Sequence, residues 1–552
     1  MGSSLKEQEQ TATKVFALGF WSSFLAPRSS TAPSSTSRPA ASSSSPPSSS
    51  STSSKRRKNN YTISAPTITS TNTIATLFLY LLLALLPSLA PALHFGDVRY
   101  FSHDATKTLH HNLSTLLEKG DINGAYIMGS KDGEIVLQES VGYKHQGPHP
   151  LFRLFSMTKP VTAVLALQLV EEGKMGLDDE IAEYLPELAH LRVYDGLSVL
   201  MEEGMTGLAS LLGRNSSSSN SSSSSNSSSN KPQHHHHRQN FLSHPATKNA
   251  TIRELLTHTA GFAYGDNISH PIDQAYDEAM LVDFYDHSEL DFLQELASIP
   301  LLSEPGTEFH YSLGFDVLGV LVSRVGGKPL DVLMKERVFE PLGMKETGFS
   351  IPMNKMWRMA RMKIQGDLGT GFVGDLAGLR AMEEPSFKSG GGGLISTAQD
   401  YLKLAHMLLN GGRNASGMQV LGEESVRAMT TNQLLPAQLP YHMTSFPDYE
   451  GSGFGYGVMV IGEEEVSLSS PQGEVSWAGM ASNSWWISPS HGTALVAMTQ
   501  HLPYSSAMEE VVKPFFYAPF LGAETEMRKK WEGEKEGGRN KKGLRGNGQE
   551  KS

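Results

Sequence analysis

A serine and a lysine three residues apart stand at the start of a strongly apolar segment, FSMTKPVTAVLALQLV. Pro160 is tolerated only in the first turn of a helix, so the helix is predicted to begin at about residues 156–158. Ser156 then lies where free backbone N–H groups favour developing negative charge, and Lys159 follows one turn later on the same face. A buried lysine beside a serine can lower the effective pKa of the hydroxyl, or can act as a base once neutral. The pair predicts a serine nucleophile, although a serine at a helix start is more often only a cap.

A serine nucleophile also needs a proton acceptor and a site that stabilises the oxyanion. Tyr311 precedes a second apolar segment, FHYSLGFDVLGVLVSRV, and a lysine ammonium near this phenol would make its phenolate accessible below the reference pKa of about 10. The segment SWAGMASNSWW is predicted to be a strand, and Gly479 would let its backbone approach a ligand closely. We therefore expect a main-chain N–H of this strand to face the substrate opposite the N–H of Ser156.

Apolar periodicity and turn signals predict the elements that position these residues. Two short strands around a Lys-Asp-Gly turn form a predicted hairpin at residues 124–143, and the helix that starts near Ser156 ends at Gly173. Further helices are predicted around residues 252–256, 291–297, 315–325 and 397–409, the last of them capped by Ser396 or Thr397. Closing strands are predicted within residues 453–461, 473–489 and 493–500. This order indicates an α+β fold, in which one antiparallel sheet built from both ends of the region is flanked by helices and joined to a mainly helical lobe.

Three motifs, in this order along the chain, resemble those of the serine β-lactamase and penicillin-binding protein superfamily. They are Ser156-Met-Thr-Lys159, Tyr311-Ser-Leu and Trp477-Ala-Gly479. More narrowly, the chain resembles the class C-like, β-lactamase-related esterases, also called family VIII esterases and transesterases. Supporting segments are LLTHTAGF at 255–262, VFEPLGMKETGF at 338–349, GGGGLISTAQDYLKLAHMLLNGG at 390–412 and GFGYGVMV at 453–460. The resemblance covers residues 105–520 and implies the β-lactamase/transpeptidase-like fold.

The resemblance implies a role for each matched residue. Ser156 would be acylated, Lys159 would activate it, and Tyr311 would act as general base and later protonate the leaving group. The N–H groups of Ser156 and Met480 would hold the oxyanion. The substrate site would be lined by Trp477, Ala478 and Gly479.

Two positions depart from the β-lactamase pattern. The third motif of β-lactamases begins with a lysine that attracts the carboxylate of the antibiotic, whereas Trp477 stands here. The second motif usually ends in asparagine, whereas Leu313 stands here. Both changes remove polar groups, and a bulky aromatic wall suits an acyl or aromatic group. The resemblance is therefore closer to the esterases, and uncharged esters are favoured over β-lactams as substrates.

Other residue patterns that could carry chemistry give weaker signals. His258 and His310 could belong to a Ser-His-Asp triad, but the chain has no Gly-x-Ser-x-Gly motif, and His258 is interpreted as structural. The histidines at 234–237 lie in a Ser/Asn tract and indicate low complexity rather than a metal site. The glycines at 390–393 lack the Gly-Lys-Ser/Thr of a phosphate loop, so a tight turn or a cavity wall is expected. We expect neither a metal ion nor a cofactor.

The favoured function is a serine hydrolase, an esterase or acyltransferase, that acts on a small-molecule ester or amide through an acyl-enzyme. A peptidase that cleaves D-amino-acid or small peptide bonds is the second enzymatic interpretation. A membrane-tethered scaffold with a decayed active site is the non-enzymatic alternative, and the presence of Ser156, Lys159 and Tyr311 argues against it. The sequence does not indicate an oligomeric state.

Composition and charge limit the organisation and the partners of the chain. The net charge of −11 is uneven, since residues 1–72 carry about +6 and the remainder about −17. An acidic folded region argues against a nucleic acid partner, and the absence of cysteine excludes disulfides and thiolate sites. Three segments cannot bury enough apolar surface and are predicted to be disordered. They are the Ser/Pro-rich basic leader 1–72, the Ser/Asn/His insertion 214–240 and the charged tail 524–552.

Residues 73–93 are predicted to form a transmembrane or signal-anchor helix. Twenty uncharged residues, 74–93, are long enough to cross a bilayer, and the basic residues 55–58 upstream favour a cytosolic N-terminus. The catalytic domain at 105–520 would then be lumenal or extracellular.

Sequons agree with a lumenal or extracellular location and predict a glycoprotein. They begin at Asn112, Asn249, Asn267 and Asn414, and several more lie in the Ser/Asn run. Secretion after cleavage near residues 90–92 is an alternative to the anchor. An organelle transit peptide, for a plastid or a mitochondrion, is another alternative, because the leader is rich in serine and poor in acids.

Overall fold

Strands from the early and late parts of the described region meet in one sheet. The structure, a computed structural model, describes residues 100–195 and 241–520, apart from 268, 283–284, 286, 365–380, 444–450 and 463–468. Within these ranges the strands are β1 (Ala125–Lys131), β2 (Glu134–Val141), β3 (Phe152–Arg153), β4 (Arg192–Tyr194), β5 (Ser243–Pro245), β6 (Lys363–Ile364), β7 (Ile395–Ser396), β8 (Ser452–Phe454), β9 (Met459–Ile461), β10 (Val475–Gly479), β11 (Asn483–Ser488), β12 (Thr493–Met498) and β13 (His501–Leu502). Seven of these described strands form an antiparallel sheet in the order β2-β1-β12-β11-β10-β9-β8.

Helices surround this sheet and fill the middle of the described region. In chain order they are α1 (His103–Lys119), α2 (Lys159–Glu171), α3 (Ile181–Tyr184), α4 (Ile252–Leu256), α5 (Pro271–Glu278), α6 (Glu289–Ser298), α7 (Gly314–Gly326), α8 (Leu330–Met334), α9 (Glu340–Leu342), α10 (Ala398–Leu409), α11 (Glu423–Met429) and α12 (Ala507–Tyr517). The helices predicted from the sequence around residues 252–256, 291–297, 315–325 and 397–409 correspond to α4, α6, α7 and α10.

The β1–β2 hairpin forms one edge of the sheet, as the sequence predicts. Lys131 pairs with Glu134, so Asp132 and Gly133 alone form the turn, and their φ angles are 50° and 83°. A two-residue turn with positive φ at both positions matches the right-handed twist of the strands that it joins. Strand β1 pairs on its other side with β12, which closes the sheet between distant parts of the chain.

Successive side chains along a strand of the sheet pack alternately into two separate hydrophobic cores. On β12, Val496 and Met498 belong to the core shared with the helical lobe, whereas Leu495 and Ala497 belong to a smaller core on the opposite face. Helices α1 and α12 cover that opposite face. The division follows from the two-residue period of a strand, and it confirms the predicted α+β architecture of an antiparallel sheet flanked by helices.

Helix α2 is enclosed on all sides, as its composition requires. Every side chain from Lys159 to Leu169 is buried, and α2 contacts α7, α8 and α11. A helix that is apolar on every face is stable only when other elements surround it. The residue at its first position, Lys159, is therefore held deep inside the protein.

Local structure differs from the sequence-based prediction in two extended segments. The segment SWAGMASNSWW, predicted to be one strand, forms β10, a turn at residues 480–482 and β11. Residues 453–461 form β8, a turn and β9. Gly457 has a φ angle of 77°, and a Cβ atom on Gly455 would lie 2.0 Å from the carbonyl oxygen of Met429. The chain therefore reverses at glycines that tolerate these positions. At α10 the prediction of the cap is confirmed, because the hydroxyl of Thr397 accepts a hydrogen bond from the N–H of Asp400.

Several sequence-based predictions lie wholly or mainly outside the described residues. These are the leader 1–72, the apolar segment 73–93, the insertion 214–240 and the tail 524–552. Among the described residues, no helix has the length and apolar character needed to cross a membrane. The membrane anchor, the lumenal or extracellular location, its organelle and secretion alternatives, and the glycosylation of the sequons stay predictions.

Candidate active site

Ser156 lies in a turn of 3-10 helix, Phe155–Thr158, that leads directly into α2. Strand β3 pairs with β7 immediately before this turn, and the N–H of Leu154 donates to the carbonyl oxygen of Leu394 at 2.8 Å. Phe155 has a φ angle of 49°, which is unusual for a residue with a side chain and typical of functional turns. The turn fixes Ser156 at the start of the buried helix, with 9% of its surface exposed.

The structure brings Ser156, Lys159 and Tyr311 together. The hydroxyl of Tyr311 donates a hydrogen bond to Oγ of Ser156 at 2.7 Å. Nζ of Lys159 lies 3.3 Å from the same Oγ and 4.6 Å from the centre of the Tyr311 ring. Residues from α2 and from the segment before α7 therefore meet at one oxygen atom, with the distances that proton transfer requires.

Burial controls the charge of Lys159. Its side chain is 0% exposed, and Nζ donates a hydrogen bond to the carbonyl oxygen of Gly391 at 3.0 Å. Burial lowers the pKa of Lys159 to about 7, while the charge of Asp316 opposes this shift. A substantial fraction of Lys159 is then neutral near neutral pH, and a neutral amine can accept a proton from Ser156.

The electrostatics of Tyr311 differ from the expectation of an accessible phenolate. Burial raises the pKa of Tyr311 well above its ordinary value, and the neighbouring Tyr264 adds to this shift. The same low-polarity surroundings that neutralise Lys159 also disfavour a tyrosine anion. In the resting site, Tyr311 is consequently a protonated donor to Ser156, and Lys159 is the better proton acceptor.

Sequence reasoning did not identify Tyr264 as part of the site. Its ring stacks on Tyr311 with centroids 5.3 Å apart and planes inclined by 16°, and Nζ of Lys159 lies 5.4 Å from its centre. Burial and the charges of Asp316 and Asp266 raise the pKa of Tyr264, and a hydrogen bond with Ser156 opposes that shift. Its signal in the sequence was the aromatic residue that follows the LLTHTAGF segment.

Asp316 and Gly391 were also not identified from the sequence. Asp316 is 1% exposed, accepts hydrogen bonds from the Ser389 hydroxyl and, at 3.1 Å, from the N–H of Gly391, and has a pKa that burial raises. A Cβ atom on Gly391 would lie 2.4 Å from Oδ2 of Asp316, so this position requires glycine. The available signal was one acid inside the apolar segment GFDVLGVLV, together with the run of glycines. The sequence-based expectation at 390–393 was a tight turn or a cavity wall. It did not include the hydrogen bond from Lys159 to the carbonyl oxygen of Gly391.

Strand β10 contacts the 3-10 turn that carries Ser156. A Cβ atom on Gly479 would lie 2.2 Å from the carbonyl oxygen of Leu154, which explains why glycine is needed where β10 meets the 3-10 turn. Met480 follows β10 directly, at the start of the turn to β11. This placement agrees with the expected oxyanion site between the N–H groups of Ser156 and Met480, whose role stays a proposal.

A cavity of about 420 Å³ opens beside Ser156 among the described residues. Near the serine its wall includes Tyr311, Trp477 and Ala478, and Trp477 packs against Tyr311 and Phe454 with ring centroids 5.6 Å and 5.2 Å apart. The lining also includes Met443, Met459, Trp486, Glu509, Glu510 and Lys513, together with serines such as Ser476 and Ser484. Trp477 thus gives the cavity an aromatic wall at the position where β-lactamases carry a lysine.

His258 and His310 lie near the site and contact neighbouring side chains. His258 is fully buried, its Nδ1 lies 3.2 Å from the Ser312 hydroxyl, and its ring packs 4.6 Å from that of Tyr311. Burial lowers the pKa of His258 well below its ordinary value. Nε2 of His310 lies 3.2 Å from Glu308. No cluster of His, Asp or Glu among the described residues could hold a metal ion, and the histidines at 234–237 lie outside these residues.

Comparisons with known proteins identify the family. The family model described as Beta-lactamase matches residues 109–511. Protein Rv1367c of Mycobacterium tuberculosis is 33% identical over 402 residues, which are 71% of this chain and 89% of that protein. Esterase EstB of Burkholderia gladioli is 27% identical over 404 residues, 68% of this chain and 85% of that protein. The solved structure of EstCE1, a hydrolase with promiscuous acyltransferase activity, has the same fold, with a TM-score of 0.56 and 24% identity over 75% of this chain and 98% of that chain. The resemblance inferred from the three motifs is confirmed, and this chain belongs to the Beta-lactamase family.

Proposed function

We propose that the chain is a serine esterase or acyltransferase that forms an acyl-enzyme on Ser156. The observation that carries this proposal is the pair of contacts at Oγ of Ser156, from the Tyr311 hydroxyl at 2.7 Å and from Nζ of Lys159 at 3.3 Å. A hydroxyl placed between a phenol and an amine of lowered pKa, at the edge of a cavity, has the surroundings of an activated nucleophile.

The geometry supports a sequence of proton transfers in which Lys159 is the base. Oγ of Ser156 bonds to the ester carbonyl carbon while its proton passes to the neutral amine of Lys159. The N–H groups of Ser156 and Met480 stabilise the oxyanion. The Tyr311 hydroxyl then gives its proton to the departing alkoxide and recovers one from the Lys159 ammonium. Water or an alcohol resolves the acyl-enzyme by the same steps in reverse.

The cavity supports an uncharged ester as substrate. Trp477 occupies the position at which β-lactamases carry a lysine, so the wall next to Ser156 offers an aromatic surface instead of a cation. The relatives named as an esterase and as a hydrolase with acyltransferase activity support an ester substrate as well.

Labelling by a fluorophosphonate probe tests the nucleophile. We expect the wild-type chain to be labelled, Ser156→Ala to lose labelling, and Ser416→Ala, an exposed serine on a surface turn, to retain it. Labelling that survives in Ser156→Ala would contradict the assignment. A folded wild-type chain that resists labelling would favour the scaffold interpretation.

A substrate panel tests the reaction class. Hydrolysis is compared for p-nitrophenyl esters of increasing acyl length, for nitrocefin and for a short peptide with a D-residue, with added alcohol as a second acyl acceptor. We expect the esters to have the highest kcat/KM, and a transfer product to appear if alcohol competes with water. Faster turnover of nitrocefin would contradict the argument from Trp477, and faster turnover of the peptide would favour the peptidase.

A further inference from the structure

One nitrogen of the Arg153 guanidinium, Nη2, is buried without a hydrogen-bond acceptor among the described residues. Arg153 is 7% exposed, and its Nη2 atom is shielded from solvent with no hydrogen-bond acceptor. No described carboxylate forms an ion pair with it. Buried charges in proteins are almost always paired, because the loss of hydration is otherwise uncompensated. An arginine in this state indicates a binding partner outside the described protein atoms.

The main chain of Arg153 is held in place by hydrogen bonds of its own. Its N–H donates to Oε1 of Gln500 at 3.1 Å, and its carbonyl oxygen accepts from Asn483 at 2.7 Å and from Nε2 of Gln500 at 3.1 Å. These three bonds, together with the pairing of β3 and β7, hold the backbone in place. No hydrogen bond of Nη2 takes part in this arrangement of the described residues.

Arg153 lines a small pocket whose wall also includes the residue before Ser156. The pocket is lined by Arg153, Phe155, Tyr285, Phe349, Phe387 and the segment 392–395, together with Pro385. Phe155 is the residue immediately before Ser156, and Gly392 and Gly393 at the pocket are only partly buried. The pocket is therefore bordered by the neighbour of Ser156 in the sequence, and two of its lining residues are accessible to solvent.

The size and chemistry of the pocket fit one small anionic group. Its volume is about 30 Å³, enough for roughly two water-sized groups and too small for an acyl chain. A carboxylate has two oxygens that match the two parallel N–H groups of a guanidinium. The aromatic side chains around Arg153 exclude water, which strengthens such a pair.

We propose that the Arg153 pocket binds a carboxylate of the substrate or of the acyl acceptor while the ester lies at Ser156. The proposal rests on the proposed function and narrows its substrate class to esters or acceptors that carry a carboxylic acid. The ester group that reacts lies near Trp477 of β10 and is uncharged. The carboxylate is bound by Arg153 of β3, whereas β-lactamases bind it with the lysine at the position of Trp477.

Matched esters test the proposal in the full-length chain. One pair is mono-p-nitrophenyl adipate and p-nitrophenyl hexanoate, which differ in a carboxylate on the acyl side. The other pair is m-carboxyphenyl butanoate and phenyl butanoate, which differ on the leaving-group side. In at least one pair we expect Arg153→Gln to lower the kcat/KM of the acid relative to its neutral partner by about tenfold or more. Arg153→Lys should recover part of this ratio, and Arg413→Gln, which removes an exposed positive charge elsewhere, should leave it unchanged.

Ligand binding gives a readout that does not require turnover. At constant ionic strength we expect acetate, but not acetamide, to raise the Tm of the wild-type chain, and we expect Arg153→Gln to abolish this shift. Without acetate, Arg153→Gln should unfold at a temperature no lower than wild type, because Nη2 of the arginine has no hydrogen bond to lose and the buried charge is removed. If Arg153→Gln does not fold, two measurements decide the question. They are the Tm of the wild-type chain with acetate and with acetamide, and the acid-to-neutral ratio of kcat/KM for Arg153→Lys.

Three outcomes would overturn the proposal. The first is an unchanged acid-to-neutral ratio in both ester pairs for Arg153→Gln. The second is a wild-type Tm that responds equally to acetate and acetamide. The third is a stronger response to phosphate than to acetate, which would assign a different anion. If p-nitrophenyl hexanoate is still hydrolysed in a Ser156-dependent manner, these outcomes reject the carboxylate pocket and leave the proposed function intact.

Discussion

Nζ of Lys159 donates a hydrogen bond to the carbonyl oxygen of Gly391 at 3.0 Å. The N–H of the same glycine donates to Oδ1 of Asp316 at 3.1 Å. One peptide segment therefore contacts two of the buried ionisable groups of the site, the amine of Lys159 and the carboxylate of Asp316. The position of Lys159 is thus set by a glycine more than two hundred residues further along the chain.

Gly391→Ala should separate these groups. The added Cβ would lie 2.4 Å from Oδ2 of Asp316, so either the carboxylate or the glycine segment must move. We expect kcat/KM for a p-nitrophenyl ester to fall by roughly 100-fold, because displacements of about 1 Å at a reacting group have this effect. The measurement is steady-state hydrolysis. Gly348→Ala, whose Cβ would meet its nearest atom at 3.6 Å, is the control and should stay close to wild type.

The dependence of activity on pH should report the protonation of Lys159. Its pKa is lowered to about 7, so the amine is protonated and inactive as a base below this pH and neutral above it. We expect kcat/KM to rise through about pH 7 and then to level off. Asp316→Asn should move this rise to lower pH, because the carboxylate opposes the lowering of the lysine pKa. A rise that occurs only near pH ~10 would instead indicate a Tyr311 phenolate.

The two stacked tyrosines, Tyr311 and Tyr264, should contribute unequally to kcat. Tyr311→Phe removes the 2.7 Å hydrogen bond to Ser156 and the donor to the leaving group, so kcat should fall by about 100- to 10,000-fold. Tyr264→Phe keeps the stacked ring and should cost less. We expect the changes in activation free energy, calculated from kcat, to be non-additive in the double variant, because the two residues contact each other. The measurement is kcat for both single variants and for the double variant. Equal losses in the two single variants would contradict this assignment of roles.

Trp477→Ala should reduce selectivity for acyl groups that reach the aromatic wall. The indole ring packs against Tyr311 and lines the cavity beside Ser156. We expect KM for aromatic or long-chain p-nitrophenyl esters to rise by about tenfold, whereas p-nitrophenyl acetate should change less. Comparison of KM across the ester series is the measurement, and a uniform change for all acyl lengths would argue against contact with the acyl group.

Local sequence signals predicted the helix that follows the first motif and the hairpin at the edge of the sheet. Pro160 and the uninterrupted apolar run after Ser156 define α2 from neighbouring residues alone, and Asp132-Gly133 defines the hairpin turn. Such signals depend on backbone preferences over a few residues, so they remain visible without an alignment. The order of strands and helices then left few arrangements other than the observed sheet.

The surroundings of Lys159 could not be predicted in the same way. Tyr264, Asp316 and Gly391 come from separate elements, and their importance arises from three-dimensional contact. The predicted phenolate of Tyr311 differed from the structure for a related reason, since the shift depends on how deeply the whole site is buried. The unpaired state of Arg153 was likewise invisible, because a sequence does not show which charges lack neighbours.

The pairing of β1 with β12 has a consequence for biosynthesis. Residues 126–131 must wait for residues 493–498 before their second edge is covered. During translation the hairpin is therefore exposed along one side until most of the polypeptide has left the ribosome, and long-range strand pairing of this kind slows folding and invites aggregation. The proposed catalytic site, which includes residues of β10, likewise cannot be complete before that late strand has emerged.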